Sequence, residues 1–188
     1  MDPSARARFE NGIKSMIAET LQAGGPADTL ACVSATLAVV IPFDILMIYV
    51  LEGEVLRPYY ASGNRAVSLS SAALPVGLGL CGWVAQSRQH ILNGNPSVEV
   101  EIQTADARIS QMHSCLALPL VNHQDSVLGV LALYQSERDA FSADHLDFLL
   151  SLQASFTGFL ARVLPETVGS VLNQSQLREE ETSGVAIV

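Results

Sequence analysis

Residues 115–134 read CLALPLVNHQDSVLGVLALY, and no other stretch restricts the fold as much. Leu116, Ala117, Leu118, Leu120 and Val121 precede the polar group Asn122-His123-Gln124-Asp125. Val127, Leu128, Val130, Leu131, Ala132 and Leu133 follow it. Two short apolar runs split by turn formers predict a β-hairpin. Neither run alternates cleanly with polar residues, so both faces of the hairpin must be covered. The hairpin is therefore expected at the centre of a sheet, with other elements on each side.

The flanking chain supplies those elements. Residues 4–22 place Phe9, Ile13, Met16, Ile17 and Leu21 on one stripe, which predicts an amphipathic helix stopped by Gly24-Gly25-Pro26. A second helix is expected from about Asp28, as cap or first-turn residue, to Pro42. Its apolar side is Leu30, Val33, Leu37, Val40 and Ile41, and its other side is small: Ala31, Ser34, Ala35 and Ala38. Ile45 to Leu51 and Val55 to Ala61 read as a strand pair across Glu52-Gly53-Glu54. A short strand is expected around Ala72 to Pro75. The glycines of Gly77-Leu78-Gly79-Leu80-Cys81-Gly82 permit a tight turn into a small helix near Cys81. His90, Ile91 and Leu92 form another short strand, ended by Asn93-Gly94-Asn95-Pro96. Residues 97–112 have weak periodicity, as expected of a long binding loop or lid. Ser142 is the expected N-cap of a last helix that carries Leu146, Leu149, Leu150, Phe156, Leu160 and Val163 and breaks at Pro165.

This order predicts an α+β fold with an antiparallel sheet. The terminal helices cover one face, and the middle loops with the small helix cover the other and enclose a pocket. The expected organisation is an N-terminal helix (1–24), one domain (25–164), and a partly disordered helix or linker tail (165–188). A chain of 188 residues, 49% hydrophobic and 15% charged, can bury such a core.

The bulk charge narrows the function. A net charge of −9, with ten scattered basic residues, leaves no basic stripe for phosphates, so no nucleic-acid partner is expected. Cys32, Cys81 and Cys115 lie far apart without a CxxC pair, which argues against a disulfide framework or zinc ribbon and for a reducing cytoplasm. The N-terminus lacks the apolar core of a signal peptide. Pro42 and Asp44 break the apolar stretch 30–51 into pieces too short to span a bilayer, so no membrane association is expected.

Four motifs, in order and spacing, resemble the GAF domain family. They are Gly77-Leu78-Gly79-Leu80-Cys81-Gly82-Trp83-Val84-Ala85, the run from Ser114 to Leu120 ending Leu-Pro-Leu, Val127 to Leu133, and Phe141-Ser142-Ala143-Asp144-His145-Leu146-Asp147-Phe148-Leu149. The likeness covers about residues 25–163. It implies a GAF/PAS-like six-stranded antiparallel sheet, a ligand cavity under the loops, and dimer contacts through flanking helices. It further implies a non-catalytic sensory module that binds a small molecule, forms a homodimer and signals to a downstream domain. The ligand-contact candidates are Trp83, Arg108, Met112, Cys81, Cys115 and Tyr60.

Other chemistries fit less well. Free methionine sulfoxide reductases are a catalytic branch of the family with a cysteine at the Cys81 loop, and a helix start favours a reactive thiolate. That branch needs further cysteines in the lid, whereas residues 95–112 hold none. A structural dimerisation module with a collapsed cavity is the third reading. His113 and Cys115 share a strand face and, with Cys81 or His90, would be too few predictably close ligands for a metal. The lid lacks the Cys-His pair of bilin-binding relatives. Gln135-Ser136-Glu137-Arg138 and Asp144-His145 depart from the Asn-Lys and Asp-Glu of cyclic-nucleotide binders. No cofactor is specified.

Overall fold

A computed structural model describes residues 3–19, 25–63, 73–100 and 109–164. The elements are α1 (Pro3–Glu19), α2 (Pro26–Val40), β1 (Ile45–Glu52), β2 (Val55–Ser62), β3 (Leu74–Pro75), α3 (Gly79–Ser87), β4 (Ile91–Gly94), α4 (Ser97–Val100), β5 (Ser114–Val121), β6 (Val127–Gln135) and α5 (Ala143–Val163). A 3-10 turn at Ile109–Gln111 precedes β5. The strands form one antiparallel sheet in the order β3-β2-β1-β6-β5-β4.

The expected hairpin lies inside the sheet, with β6 central and β5 next to the edge strand β4. β6 is flanked by β1 and β5, with Ala117 opposite Ala132 and Leu118 opposite Leu131. The polar turn closes it because Asn122 Oδ1 accepts from the backbone N–H groups of Gln124 and Ser126, at 2.9 and 3.0 Å, and Asp125 takes the left-handed conformation at φ 61°. Pro119 is tolerated inside β5 because the pairing with β4 stops at Ala117, so β5 is an edge beyond that point. The Pro119 carbonyl accepts from Gln153 Nε2 at 2.6 Å, which ties β5 to α5.

Strand alternation sends side chains into two separate cores. Leu46, Ile48 and Val50 of β1, Leu116, Leu118 and Leu120 of β5, and Leu131 and Leu133 of β6 pack with α1, α2 and α5. Ile13 and Ile17 of α1 and Phe148, Phe156 and Phe159 of α5 are buried in that layer. The apolar stripes of the terminal helices are thus spent against each other and the sheet within one chain. The opposite face carries α3, the 3-10 turn and Met112.

Several boundaries differ from the sequence expectation for local reasons. Gly25 is the N-cap of α2 with Pro26 in the first turn, and Asp28 is a first-turn acid rather than the cap. β4 continues through Asn93 and Gly94, because Asn93 takes a left-handed φ of 57° within a bulge instead of turning the chain away. Residues 97–100 form one helical turn inside the expected loop. Ser142 caps α5 as expected: its side chain accepts from His145 N at 3.3 Å, and His145 Nδ1 accepts from Ser142 N at 3.3 Å. The expected tail at 165–188, Ala72 of the expected short strand and the lid residues 101–108 lie outside the described residues.

Candidate functional site

The two faces of the central strands differ in side-chain size. The helix-facing positions of β5 and β6 are mostly leucines. The loop-facing positions are Cys115 and Ala117 on β5, and Val130, Ala132 and Tyr134 on β6. Ala117 and Ala132 are register partners, and Met47 of β1 sits beside them. These small side chains leave room above the sheet, and α3 fills it.

α3 reaches the sheet because its glycines let it. Gly77 and Gly79 take positive φ, 83° and 67°, in the turn that starts the helix. The Gly77 N–H donates to the Gly82 carbonyl at 2.9 Å, and the Leu78 N–H donates to the Pro75 carbonyl at 3.2 Å. At Gly82 a Cβ would collide with the Pro75 carbonyl oxygen, so α3 lies closer to the end of β3 than any other residue would allow. Cys81, Val84 and Ala85 then face the sheet at helical spacing.

Cys81 Sγ and Tyr134 Oη share a hydrogen bond of 3.3 Å, with both side chains fully buried. Tyr134 stands directly across the ladder from Cys115, which is also fully buried. Two thiols, Cys81 and Cys115, and two phenols, Tyr134 and Tyr49, therefore lie in an otherwise apolar layer with Met47 and Met112. Among the described residues no charged side chain is buried. The described walls suit an uncharged group, with polar recognition confined to Sγ and Oη atoms.

Of the six sequence candidates, Cys81, Cys115 and Met112 come together on this face. Trp83 lies on the outer side of α3 and is 40% exposed, since the buried positions 81, 84 and 85 turn it away. Tyr60 packs on the other side of the sheet, against the helix layer, because it pairs with Ile48, which faces α1, α2 and α5. Arg108 lies outside the described residues. His90 and His113 are exposed. No cluster of three metal-binding side chains occurs among the described residues. No helix among them is long and apolar enough to cross a membrane.

Tyr134, Tyr49, Ala117 and Ala132 are absent from the sequence candidates. For Tyr134 the turn at 122–126 was not signal enough: its register alone would pair Tyr134 with Ser114, and a shift between Leu120 and Val121 sets Tyr134 opposite Cys115.

A family model described as GAF domain matches residues 27–159. The GAF domain of an Acinetobacter phosphoenolpyruvate-protein phosphotransferase superposes with a TM-score of 0.71 at 21% identity, covering 88% of this chain and 99% of that one. A putative GAF sensor protein from Burkholderia vietnamiensis superposes at 0.62 and 18% identity, covering 81% and 93%. The free methionine-R-sulfoxide reductase of Neisseria meningitidis, solved with its substrate, superposes at 0.67 and 18% identity, covering 86% and 92%. At these identities the likeness is one of fold. Among curated proteins none matches the chain.

Proposed function

The chain belongs to the GAF domain family, and on that premise we propose that it is a non-catalytic sensory domain. It binds a small, uncharged, largely apolar molecule on the loop-facing side of the sheet, where α3 packs directly on β5 and β6 and has to move aside to admit it. Recognition runs through Cys81 Sγ and Tyr134 Oη over the floor of Ala117 and Ala132. Occupancy shifts α5, which passes the signal to a downstream domain in a homodimer that pairs the outer faces of the helical layer, where Val39 is 70% exposed, since the apolar stripes are spent within the chain. Ligand binding produces such a shift only through different affinities for two states.

One observation carries the choice of sensing over thiol chemistry. Cys81 and Cys115 are fully buried at the site, and the exposed thiol, Cys32, lies on α2 in the opposite layer. A sensed molecule needs to enter only once to be held there, whereas a thiol that attacks a soluble sulfoxide and is then re-reduced must be reached by both substrate and reductant at every turnover. The reductase reading nevertheless has a direct test. Purified protein is assayed for thioredoxin-dependent reduction of free methionine sulfoxide, beside Cys81→Ser. The sensory reading expects no turnover above that control, and a small molecule released on denaturation and detected by mass spectrometry. Turnover that disappears in Cys81→Ser would replace sensing with catalysis. Sedimentation tests the assembly, since a strict monomer at high concentration removes the homodimer.

A further inference from the structure

The sheet separates the ligand side from the helices, so a signal has to cross it or go round. The edge strand β4 offers a way round, and two adjacent residues of β4 face opposite partners. Gly94 sits opposite Cys115 in the ladder and under α3: a Cβ placed there would meet Ile91 Cγ2 of its own strand at 2.6 Å and Leu80 Cδ1 and Cδ2 of α3 at 3.1 Å. Asn93, next to it, binds the start of α5. Its Nδ2 donates to the Phe141 carbonyl at 2.8 Å, and its Oδ1 accepts from the Phe141 N–H at 2.9 Å. One carboxamide thus satisfies both backbone groups of the residue that precedes the α5 N-cap, Ser142. Phe141 is itself 3% exposed, its side chain packed in the helix-side core.

We infer that Asn93 is the positioning residue that couples the ligand side to α5: displacement of α3 moves β4 through Gly94, and Asn93 passes that displacement to the first turn of α5. The inference rests on the sensory reading for its purpose, but the coupling is a property of the fold alone. Three features favour it. Two hydrogen bonds in opposite directions fix Phe141 both along and across the strand, where one bond would allow swivel. Asn93 holds a left-handed φ of 57°, a conformation that asparagine tolerates better than most side chains, so backbone and carboxamide are placed together. β4 is only four residues long and has β5 as its single neighbour among the described residues, so it can shift without dragging the rest of the sheet.

The test is a double-mutant cycle read by hydrogen exchange on the full chain, with no ligand involved. Ser142→Ala removes the α5 cap without touching β4. In the parent it should speed exchange in peptides covering 91–98 as well as 142–147, by about fivefold at the helix start, the size that loss of a cap carries. Asn93→Gly removes the carboxamide and keeps the left-handed backbone free of strain. In that background Ser142→Ala should still act on 142–147 and leave 91–98 unchanged. Asn93→Asp, which keeps the acceptor and loses the donor, gives a near-isosteric second variant with partial transmission if Asn93→Gly fails to fold. Equal transfer to 91–98 with and without the carboxamide, or no transfer in the parent, overturns the coupling. Neither result bears on whether a ligand binds, which the denaturation and turnover experiments decide.

Discussion

Gly82→Ala pits two opposing terms against each other at one atom. In a helix interior, alanine gains about 1 kcal/mol over glycine. At position 82 the added Cβ would run into the Pro75 carbonyl oxygen, with Gly77 N at 3.2 Å and the Pro75 carbonyl carbon at 3.4 Å behind it. These neighbours are backbone and cannot swing aside as a side-chain tip can. Forcing a methyl group into packed structure costs about 1–3 kcal/mol, and the upper half of that range applies where the obstacle is rigid. The net change is a loss of about 1–2 kcal/mol. Gly158→Ala is the matched control: it lies in α5, and nothing stands within 4 Å of the point its Cβ would occupy, so only the favourable term acts. Thermal unfolding followed by circular dichroism should separate the two variants by about 6–9 °C, at roughly 3 °C per kcal/mol for a domain of this size. Lifting α3 also lengthens the Cys81–Tyr134 contact, so Gly82→Ala should expose the Cys81 thiol to alkylation. If both variants raise the melting temperature and Cys81 stays protected, then α3 does not lie against β3 as described, and the site built on it fails.

Two further outcomes follow from the same geometry. Alkylation of native protein should modify Cys32 quickly and leave Cys81 and Cys115 at least about a hundredfold slower, since both are fully buried and react only through opening; equal rates, read by peptide mass spectrometry, would contradict their burial. Burial holds the His145 imidazole below its ordinary value of 6.5, and Asp144 opposes that shift. A lowered folded pKa means that the unfolded chain binds the proton first, so the contribution of His145 is complete above about pH 6.5 and is lost as pH falls from there through the folded value. Protonated Nδ1 can no longer accept from Ser142 N. Urea midpoints should therefore fall from pH 7.5 to 5.5 more in the parent than in His145→Gln, whose side chain can keep the capping box without titrating; identical slopes would remove His145 from the pH response.

Much of the fold was legible because it rests on local patterns. The apolar runs around Asn122 to Asp125 announced the hairpin, and their lack of alternation announced covered faces on both sides. Ser142 announced the start of α5. The site was less legible because it depends on facing. Cys81 and Trp83 are two apart on a helix, which turns them about 200° from each other, so they cannot share one wall. Tyr60 is a candidate only through the family resemblance, whereas its face is set by pairing with Ile48 and by a bulge at Tyr59 of β2, opposite the Ile48–Tyr49 step. Asn93-Gly94 has the composition of a turn, and long-range contacts keep that dipeptide in the sheet: the Gly94 pairing with Cys115 and the Asn93 bonds to Phe141.

The sorting of strand side chains into two cores that share no residue has an evolutionary consequence. Side chains on one surface can drift while those on the other stay constant, with the Asn93–Phe141 link as the junction that answers to both. Exchanges at Ala117, Ala132 or Cys115 would change the packing under α3, and exchanges at Leu116, Leu118 or Leu131 would change how firmly α1, α2 and α5 are seated. A lineage built on this plan can alter one face without rebuilding the other.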